Sequence, residues 1–390
     1  MDSNMFWTYI LPLIASIAAV SIIHPQLVKI ALRKHIVDEP NARKFQEHPV
    51  PTMGGIAVFF GIAVGMASLC FSGICSSFFV VIIAMLVMLY LGTIDDILDI
   101  SPLLRMLIQV LTVLLLIYAG GYCLDDLHGL WGYDSISWYV AVPLTLISVV
   151  GIINAMNMID GVDGLSSGLC MLYCLIFGVA FHLVGYVGMA AFAITAFGAL
   201  LPFFMHNAFG RTSKMYIGNG GTMLMGILLS VFVMSMVRTD DFDEFFDARG
   251  YSVVPFTMAL LSIPVFDTLR VMFSRILHGG SPFKPDRTHL HHMFIWLGFS
   301  HVGTTFWIMG LDLAVVGAWL LSCRLGAGVD AQFYTVIVTG LIVTTGLYTA
   351  VKAIDHYFPE QMQRFIAWKF RAKPKREGIF LLLQRFMDRI

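Results

Sequence analysis

The sequence has little charge and little cysteine. Only 13% of its 390 residues are charged, whereas 58% are hydrophobic and the mean hydropathy is +0.81. Soluble globular domains are about one quarter charged, so this composition excludes an ordinary soluble protein. The six cysteines include no C-x-x-C pair of the kind that binds zinc or performs redox chemistry, and we interpret them as small apolar packing residues.

Long apolar runs recur along the whole chain. Each is about 20 residues long, the length that a helix needs to cross a bilayer. The runs are continuous rather than alternating, which excludes the short segments of a membrane β-barrel. We therefore predict an all-α, polytopic integral membrane helical bundle with about 11 transmembrane helices. The predicted spans are 6–24, 53–72, 78–94, 103–119, 137–155, 165–185, 188–205, 215–237, 253–273, 303–323 and 334–352.

The basic residues alternate from one loop to the next. Only 3 of the 24 Lys and Arg residues fall in the loops of one predicted side, namely Arg238, Arg249 and Arg324. The positive-inside rule therefore predicts that the N-terminus is outside and the C-terminus is in the cytoplasm. Besides the tail, the predicted cytoplasmic segments are 24–52, 95–102, 156–164, 206–214 and 274–302.

Two acidic pairs lie in or beside these cytoplasmic segments. Asp95 and Asp96 are adjacent at the end of an apolar run and Asp99 follows, while Asp160 and Asp163 are three residues apart in a Gly-containing turn. Carboxylates at a membrane rim are costly unless they are paired, hydrated or metal-bound. Oxygen-rich acidic sites suit Mg²⁺ or Mn²⁺. The alternative is that Asp95 and Asp96 only cap and solvate a helix end.

A basic loop with two Pro and two Gly follows in the segment 274–302. Lys and Arg can hold phosphate oxygens, and His can donate hydrogen bonds or exchange protons. The candidate residues are Arg275, Lys284, Arg287, His289, His291 and His292. A zinc site made of the three histidines is an alternative with poor helical spacing, and a plain basic loop is another.

Two further segments have the composition of polar turns. The stretch 216–222 contains three Gly in four residues where a span begins, which permits close backbone approach and anion binding at the helix start. The run 38–44, with Asp38, Asn41 and Lys44, precedes the helix entry at 51–55 and offers a polar site. Taken together, these motifs are the parts of a phosphoryl-transfer site at a membrane surface, with one lipid-linked and one soluble substrate.

The same motifs, in this order, resemble the polyprenyl-phosphate N-acetylhexosamine-1-phosphate transferases, and most closely the N-acetylglucosamine branch of that family. The matching segments are 38–44, 51–55, 92–96, 154–164 and 281–292, so the resemblance extends over about 24–300. It implies a transmembrane catalytic domain, 1–352, followed by a basic cytoplasmic tail, 353–390. It also implies a bacterial inner (cytoplasmic) membrane protein with its active site on the cytoplasmic face.

The resemblance further implies a reaction and a set of residues. Undecaprenyl phosphate would attack the β-phosphate of a UDP-N-acetylhexosamine, with Mg²⁺ or Mn²⁺, to initiate the synthesis of a surface polysaccharide. The implied catalytic residues are Asp95, Asp96, Asp160 and Asp163, and with Asn219 they are the implied metal ligands. The implied substrate-binding residues are Asp38, Asn41, Lys44, Asn154, Asn157, Arg275, Lys284, Arg287, His289, His291 and His292.

One position departs from the family pattern. The family has Gly-Asp-x-Gly-Ser where this chain has Gly218-Asn219-Gly220-Gly221-Thr222. Asn can ligate a metal through its carbonyl oxygen but brings no charge, so we hypothesise a weaker or differently tuned metal site. A non-catalytic paralogue that binds nucleotide sugars is the alternative.

Several features stay open at the level of sequence. A transporter or flippase would need charges at span centres and internal repeats, and the chain offers one central carboxylate, Asp312, and no evident repeat. We expect Asp312 to be neutral or paired between helices. The lipid bilayer is an expected partner and nucleic acid is not, while a homodimer, the sugar and the downstream polymer are undecided. The tail 361–390 favours a surface helix on anionic lipid, broken at Pro374, or an ordinary charged tail.

Overall fold

A computed structural model describes residues 5–38, 49–72, 78–238, 240–282, 287–371 and 378–389. In chain order the helices are α1 (Leu11–Lys34), α2 (Gly54–Ser68), α3 (Phe79–Leu98), α4 (Pro102–Gly120), α5 (Trp138–Met158), α6 (Leu165–Leu183), α7 (Val187–Phe209), α8 (Gly218–Arg238), α9 (Asp240–Asp247), α10 (Val253–Leu260), α11 (Ser262–Leu277), α12 (Leu290–Trp296), α13 (His301–Arg324), α14 (Val329–Leu341), α15 (Leu347–Tyr357), α16 (Pro359–Arg371) and α17 (Ile379–Met387). Short π-helical turns, Phe6–Ile10 and Ile342–Gly346, precede α1 and join α14 to α15, and a 3₁₀ turn, Leu69–Ser72, follows α2.

Two small antiparallel hairpins complete the fold. Strands β1 (Val37–Asp38) and β2 (Val50–Pro51) pair with each other, and so do β3 (Asp126–Leu130) and β4 (Tyr133–Ser135). The first hairpin is attached to the segment before α8, because the Tyr216 N–H donates to the Pro51 carbonyl at 2.7 Å. It therefore brings Asp38 to the same end of the bundle as the start of α8.

The predicted all-α, polytopic architecture is confirmed. Among the described residues, ten helical stretches are long and apolar enough to cross a membrane, or eleven when α10 and α11 are counted as one bent span. This agrees with the predicted number of about 11. The orientation of the termini, which was inferred from the distribution of Lys and Arg, stays a prediction.

Helix α8 is the central helix of the bundle. Between Gly220 and Val237 almost every residue is buried, as expected for a helix that is apolar on all faces. Phe232 on α8 packs against Phe177 and Phe181 of α6 and Phe192 of α7, with ring centroids 5.5–5.8 Å apart. The start of α8 consequently lies in the interior of the protein, among the ends of its neighbours.

The span predicted at 253–273 is broken. Helices α10 and α11 meet at 70° around Leu261, and a break inside a membrane requires partners for the freed backbone groups. Asp312, fully buried on α13, accepts hydrogen bonds from the Ile263 N–H at 3.1 Å and the Ser262 hydroxyl at 3.2 Å. Pro264, which follows, has no N–H to satisfy. The expectation that Asp312 is paired between helices is confirmed.

The interpretation of the cysteines as packing residues holds for four of them. Cys123, Cys170, Cys174 and Cys323 are free and buried. Cys70, in contrast, is disulfide-bonded, so for this residue the interpretation was wrong. Position 75 lies outside the described residues.

Candidate active site

The ends of α3, α5 and α8 surround a cavity of about 440 Å³. All of its walls come from predicted cytoplasmic segments or from the helix ends beside them. The lining residues are Asp38, Thr52, Asp95, Asp96, Asp99, Asn157, Asp160, Gly161, Val162, Asp163, Asn207, Tyr216, Ile217, Gly218, Asn219, His292 and His301. Of these residues, six are carboxylates, so the cavity has the oxygen-rich surface that the sequence predicted.

Asp96 links the end of α3 to the start of α8. Its two carboxylate oxygens accept the backbone N–H of Asn219, at 2.9 and 3.2 Å. The first N–H groups of a helix have no partner within the helix and carry a partial positive charge, so a carboxylate is stabilised there. Asp96 is thus a cap of the buried helix α8 as well as part of the cavity wall.

Asp95 is held by two donors from different helices. Its Oδ2 accepts from Arg105 Nη1 at 3.1 Å and from the side-chain Nδ2 of Asn219 at 3.0 Å. An ionised carboxylate only accepts, so the amide NH₂ of Asn219 must face it. The amide oxygen of Asn219 then faces Asn157, whose Nδ2 donates to it at 2.8 Å and to Thr222 Oγ1 at 2.8 Å.

Two glycines permit the close contact between α3 and α8. A Cβ at Gly92 would overlap the backbone of Asn219 and Gly220, so only glycine lets the two helices approach this closely. Gly218 has φ +71°, and a Cβ there would lie 2.6 Å from Asp96 Oδ2. The Gly-rich stretch at 216–222 therefore serves helix packing and the backbone hydrogen bonds to Asp96.

Asp160 lies in the turn between α5 and α6 and is half-buried. Its Oδ1 accepts from Ser166 Oγ at 2.5 Å. Burial raises the pKa of Asp160 to about 7, because the hydrogen bond from Ser166 does not offset the loss of solvation and the charge of Asp163 adds repulsion. A cation in the cavity would relieve both effects.

Asp163, in contrast to Asp160, has positively charged partners. Lys214 Nζ lies 2.7 Å from its Oδ2, and His301 Nδ1 lies 2.8 Å from the same oxygen. Burial alone raises the pKa of this carboxyl, but the hydrogen bonds and positive charges of His301 and Lys214 outweigh burial and hold the pKa below its usual value. The two carboxylates of this turn are therefore differentiated: Asp163 has cationic partners, and Asp160 has a hydroxyl.

The histidine segment is anchored by a carboxylate inside the bent span. Asp267 on α11 is almost fully buried, and it accepts from His289 Nδ1 at 2.9 Å and from Arg270 Nη2 at 2.7 Å. The same Arg270 nitrogen donates to the Thr288 carbonyl at 2.6 Å. Because a carboxylate oxygen accepts from it, Nδ1 of His289 carries a proton.

The three histidines of this segment have different positions. His289 and His291 stack with centroids 5.4 Å apart, and both are buried. The His291 ring lies against Gly161, where a Cβ would overlap it. Burial, with the neighbouring histidine charges, keeps the pKa of His291 well below its usual value, so this ring is neutral. His292 lines the cavity.

The structure brings many of the predicted site residues together, though not all. Those that line the cavity are Asp38, Asp95, Asp96, Asn157, Asp160, Asp163, Asn219 and His292. Asn154 is placed elsewhere, with its Nδ2 donating to Gln109 Oε1 and to the Val150 carbonyl, and Arg275 donates to the Pro282 carbonyl. His289 and His291 lie behind the lining, and Arg287 is not a lining residue. Asn41, Lys44 and Lys284 lie outside the described residues.

Several residues at the site were not found from the sequence. They are Arg105, Lys214, Asp267, Arg270 and His301. Asp267 and Arg270 carried a usable signal, because ionisable residues inside an apolar run are functional candidates. Arg105 and Lys214 carried no signal in the sequence beyond their charge, because the fold alone brings them to their partners Asp95 and Asp163.

The donor set suits a hard divalent cation. Asp96, Asp160 and the amides of Asn157 and Asn219 present oxygens to one cavity, and the charges of Asp96 and Asp160 are close enough to repel each other. Within the described part of the chain, no three His, Cys, Asp or Glu side chains are grouped so as to hold a metal ion by themselves. Mg²⁺ commonly binds through one or two carboxylates and the phosphates of the substrate, which matches this arrangement.

Comparison with known proteins identifies the family. Residues 78–237 match the family model described as glycosyl transferase family 4. An Escherichia coli (strain K12) protein named undecaprenyl-phosphate alpha-N-acetylglucosaminyl 1-phosphate transferase is 30% identical over 70% of this chain and 72% of its own length. The chain belongs to glycosyl transferase family 4. The resemblance that the motifs indicated is therefore confirmed.

Two further relatives extend the match along the chain. The Salmonella typhi protein of the same name is 30% identical over 78% of this chain and 79% of its own length. A Bacillus subtilis protein named probable undecaprenyl-phosphate N-acetylglucosaminyl 1-phosphate transferase is 29% identical over 82% of this chain and 88% of its own.

Proposed function

We propose that this family member transfers N-acetylhexosamine 1-phosphate, with N-acetylglucosamine as the first choice, from a UDP-sugar to undecaprenyl phosphate. The observation that carries the proposal is a cavity that carboxylates from α3 and from the α5–α6 turn line together with the start of α8. The names of the relatives support both the lipid acceptor and the sugar. The products are undecaprenyl-diphospho-sugar and UMP.

The reaction needs little proton chemistry. An oxygen of the lipid phosphate attacks the β-phosphorus of the UDP-sugar, and the bond from that phosphorus to the oxygen of the α-phosphate breaks as UMP leaves. A phosphate monoester has a second pKa of about 6, so the attacking oxygen is mostly ionised at neutral pH. A strong base among the carboxylates is therefore unnecessary.

The remaining work is positioning and charge stabilisation. Mg²⁺ or Mn²⁺ bound at Asp96, Asp160 and the amide oxygen of Asn157 or Asn219 would neutralise the diphosphate charge. Asp95, held by Arg105 and Asn219, fixes the start of α8 against α3. His292, from the histidine segment, also lines the cavity, where it can donate a hydrogen bond to a phosphate or to the sugar.

Asp163 and Lys214 act as a pair. Their 2.7 Å contact keeps Asp163 ionised and holds a cation beside the cavity wall. Because Asp163 has cationic partners and Asp160 does not, we assign Asp160 rather than Asp163 to the metal. Asp163 then orients the turn and the nucleotide-sugar side of the cavity.

We propose that this chemistry takes place on the cytoplasmic face of a bacterial inner membrane, which the distribution of Lys and Arg among the loops supports. The nucleotide sugar is soluble there, and the acceptor phosphate lies at the bilayer surface. We propose that the product starts a surface polysaccharide, because a diphosphate-linked sugar on a lipid is a substrate for enzymes that add further sugars.

The test is UMP release by the purified protein. The assay contains undecaprenyl phosphate and UDP-N-acetylglucosamine, with Mg²⁺, with Mn²⁺ or with EDTA. Lipid-dependent, EDTA-sensitive UMP supports the proposal, whereas release of UDP would contradict phosphate transfer. Activity with UDP-N-acetylgalactosamine alone would change the sugar only. A folded protein that binds UDP-sugars without releasing UMP would be a non-catalytic paralogue, the alternative that Asn219 raises.

A further inference from the structure

The end of the chain binds the loop between α7 and α8. Asp388 follows α17, and its Oδ1 accepts three consecutive backbone N–H groups, from Arg211 at 2.9 Å, Thr212 at 2.9 Å and Ser213 at 3.1 Å. The Ser213 hydroxyl donates to the same oxygen at 3.2 Å. Consecutive N–H groups of this kind form a concave anion site, and here a carboxylate from the same chain occupies it.

These hydrogen bonds fix the charge state of Asp388. Burial alone would raise the pKa of this carboxyl, but the hydrogen bonds from Arg211, Ser213 and Thr212 outweigh burial and hold its pKa below the usual value. Hydrogen bonds to a charged acceptor are stronger than those between neutral groups. The contact therefore forms between an ionised side chain and a backbone segment.

Helix α17 has a packing reason to lie at this place. The Phe380 ring on α17 packs against Phe209 at the end of α7, with centroids 5.4 Å apart. Met387, beside Asp388, is buried. The tail for which the sequence predicted a surface helix or an ordinary charged segment therefore also contacts the protein, through α17, beside the candidate site.

Two histidines also hold the loop that Asp388 binds. Two buried histidines, His24 on α1 and His206 on α7, stack with centroids 4.2 Å apart. The Ser213 carbonyl accepts from His24 Nε2 at 2.9 Å, and His206 Nδ1 lies 2.9 Å from Ser213 Oγ. Since the Ser213 hydroxyl donates to Asp388, the His206 N–H donates to Ser213.

The next residue is Lys214, the cationic partner of Asp163. Its backbone is fixed on the other side too, because Asn207 Nδ2 donates to the Met215 carbonyl at 2.9 Å. Asn207 Oδ1 also accepts from the Gly164 N–H at 2.5 Å, which ties this loop to the turn that carries Asp163. The position of Lys214 Nζ, 2.7 Å from Asp163, consequently depends on the backbone that Asp388 holds.

We propose that Asp388 is a positioning residue of the transfer reaction, which holds the 211–213 backbone so that Lys214 stays paired with Asp163, and that the C-terminal helix thereby completes the active site. This inference rests on the proposed function. It assigns to the tail a part in substrate turnover rather than only in membrane attachment.

The first experiment measures the contact without relying on activity. Asp388→Ala, Asp388→Asn and the matched control Arg389→Ala, an exposed neighbour, are purified in detergent. Hydrogen exchange is followed at residues 211–213, and chemical acetylation is followed at Lys214, both by mass spectrometry. Asp388→Ala is expected to raise exchange and Lys214 labelling by about tenfold, Asp388→Asn by less because its oxygen still accepts hydrogen bonds, and Arg389→Ala not at all.

The second experiment is a double-mutant cycle with UMP release. Asp388→Ala is expected to lower kcat/KM for the UDP-sugar by about tenfold in the wild-type background and by less than about twofold in a Lys214→Ala background, because the two residues act through one contact. An equal loss in both backgrounds would overturn the proposal, as would unchanged exchange and labelling. Unchanged turnover despite faster exchange would also overturn it.

The two proposals can fail separately. If the wild type releases no UMP under any condition, the proposed function fails, and exchange and labelling still decide whether Asp388 positions Lys214. If Asp388→Ala does not fold, Asp388→Asn provides the comparison with a side chain of the same shape, with the smaller increase in exchange and labelling stated above.

Discussion

Asn219 and Asp95 face each other across the candidate active site, with Asn219 Nδ2 donating to Asp95 Oδ2 at 3.0 Å. The family pattern has Asp where this chain has Asn. A carboxylate in that place would repel the carboxylate of Asp95 unless a cation or a proton lay between the two. The amide removes this repulsion, so the start of α8 and the end of α3 are compatible without a metal.

Asn219→Asp is therefore expected to increase the dependence on a divalent cation. In EDTA the variant should be less stable than the wild type by about 1–3 kcal/mol, the cost of replacing a buried hydrogen bond by an unpaired acceptor. Saturating Mg²⁺ should restore most of this stability. The variant should also reach half-maximal activity at a lower Mg²⁺ concentration than the wild type. Thermal unfolding and a metal titration measure both effects.

The matched control for this variant is Asn154→Asp. Asn154 points to Gln109, away from the cavity, so its substitution should not move the metal titration. If Asn219→Asp had the metal titration and the rate of the wild type, Asn219 would have no effect on the metal.

Metal binding should depend on pH through Asp160. With a pKa of about 7, this carboxyl is largely protonated below pH 7 in the metal-free protein. Mg²⁺ then displaces a proton, so its affinity should rise by about tenfold per pH unit below 7 and become constant above it. Calorimetry in two buffers of different ionisation enthalpy measures the proton release, and Asp160→Asn should reduce it. Affinity that is independent of pH in the wild type would contradict the assignment.

The same shift has a consequence for stability. The pKa of Asp160 in the folded protein lies above its usual value of 3.8, so the folded state binds more protons than the unfolded state between these two pH values. The metal-free protein should therefore lose stability as the pH rises from about 4 to 7 because of this group. Asp160→Asn should remove this part of the pH dependence of the unfolding temperature.

Asp267 should be needed for the position of the histidine segment. Asp267→Ala leaves Arg270 and His289 buried without their acceptor, and breaking a buried ion pair on one side typically costs about 3–5 kcal/mol. Asp267→Asn should reduce the stability by less than Asp267→Ala. It should still lower kcat/KM, because it changes the acceptor to which His289 Nδ1 donates its proton. The matched control is Glu360→Gln, whose exposed partner Arg364 is 4.0 Å away and whose loss should change the unfolding temperature little. Equal effects of Asp267→Asn and Glu360→Gln would refute the role.

Gly92→Ala should separate the acidic pair from the start of α8. The new methyl group overlaps the Asn219 backbone, so α3 and α8 must move apart and the hydrogen bonds to Asp95 and Asp96 must lengthen. We expect a loss of stability of about 1–3 kcal/mol, typical of overpacking, with a larger relative loss of activity. Gly151→Ala, on α5 with no atom within 4 Å of the new methyl group, should be neutral or slightly stabilising. Similar results for both variants would show that the α3–α8 contact is not required.

The sequence predicted much of the site because charged residues in an apolar chain are conspicuous. Asp95, Asp96, Asp160 and Asp163 stood out at span ends, and all four line one cavity. The charge pattern also predicted on which side of the bundle the motifs would gather. These features depend on local composition and on the cost of burying charge, both of which can be judged without a structure.

Contacts between distant segments could not be predicted in this way. Asp388 binds residues that precede it by 175 to 177 positions, and nothing in the tail sequence identifies that partner. The 70° break in the span predicted at 253–273 depends on Asp312, which lies about 50 residues later and satisfies the freed Ile263 N–H. In both cases an acceptor from another helix decides the local structure.

The most direct test of the account follows the β-phosphate of the donor. UDP-N-acetylglucosamine labelled with ³²P at the β-position is incubated with the protein, undecaprenyl phosphate and Mg²⁺, and the lipid is extracted. The account predicts that the label moves into the lipid fraction in step with UMP formation, and that EDTA, Asp96→Asn or Asp160→Asn prevents the transfer. Sugar transfer that leaves the labelled phosphate on the released nucleotide would contradict it.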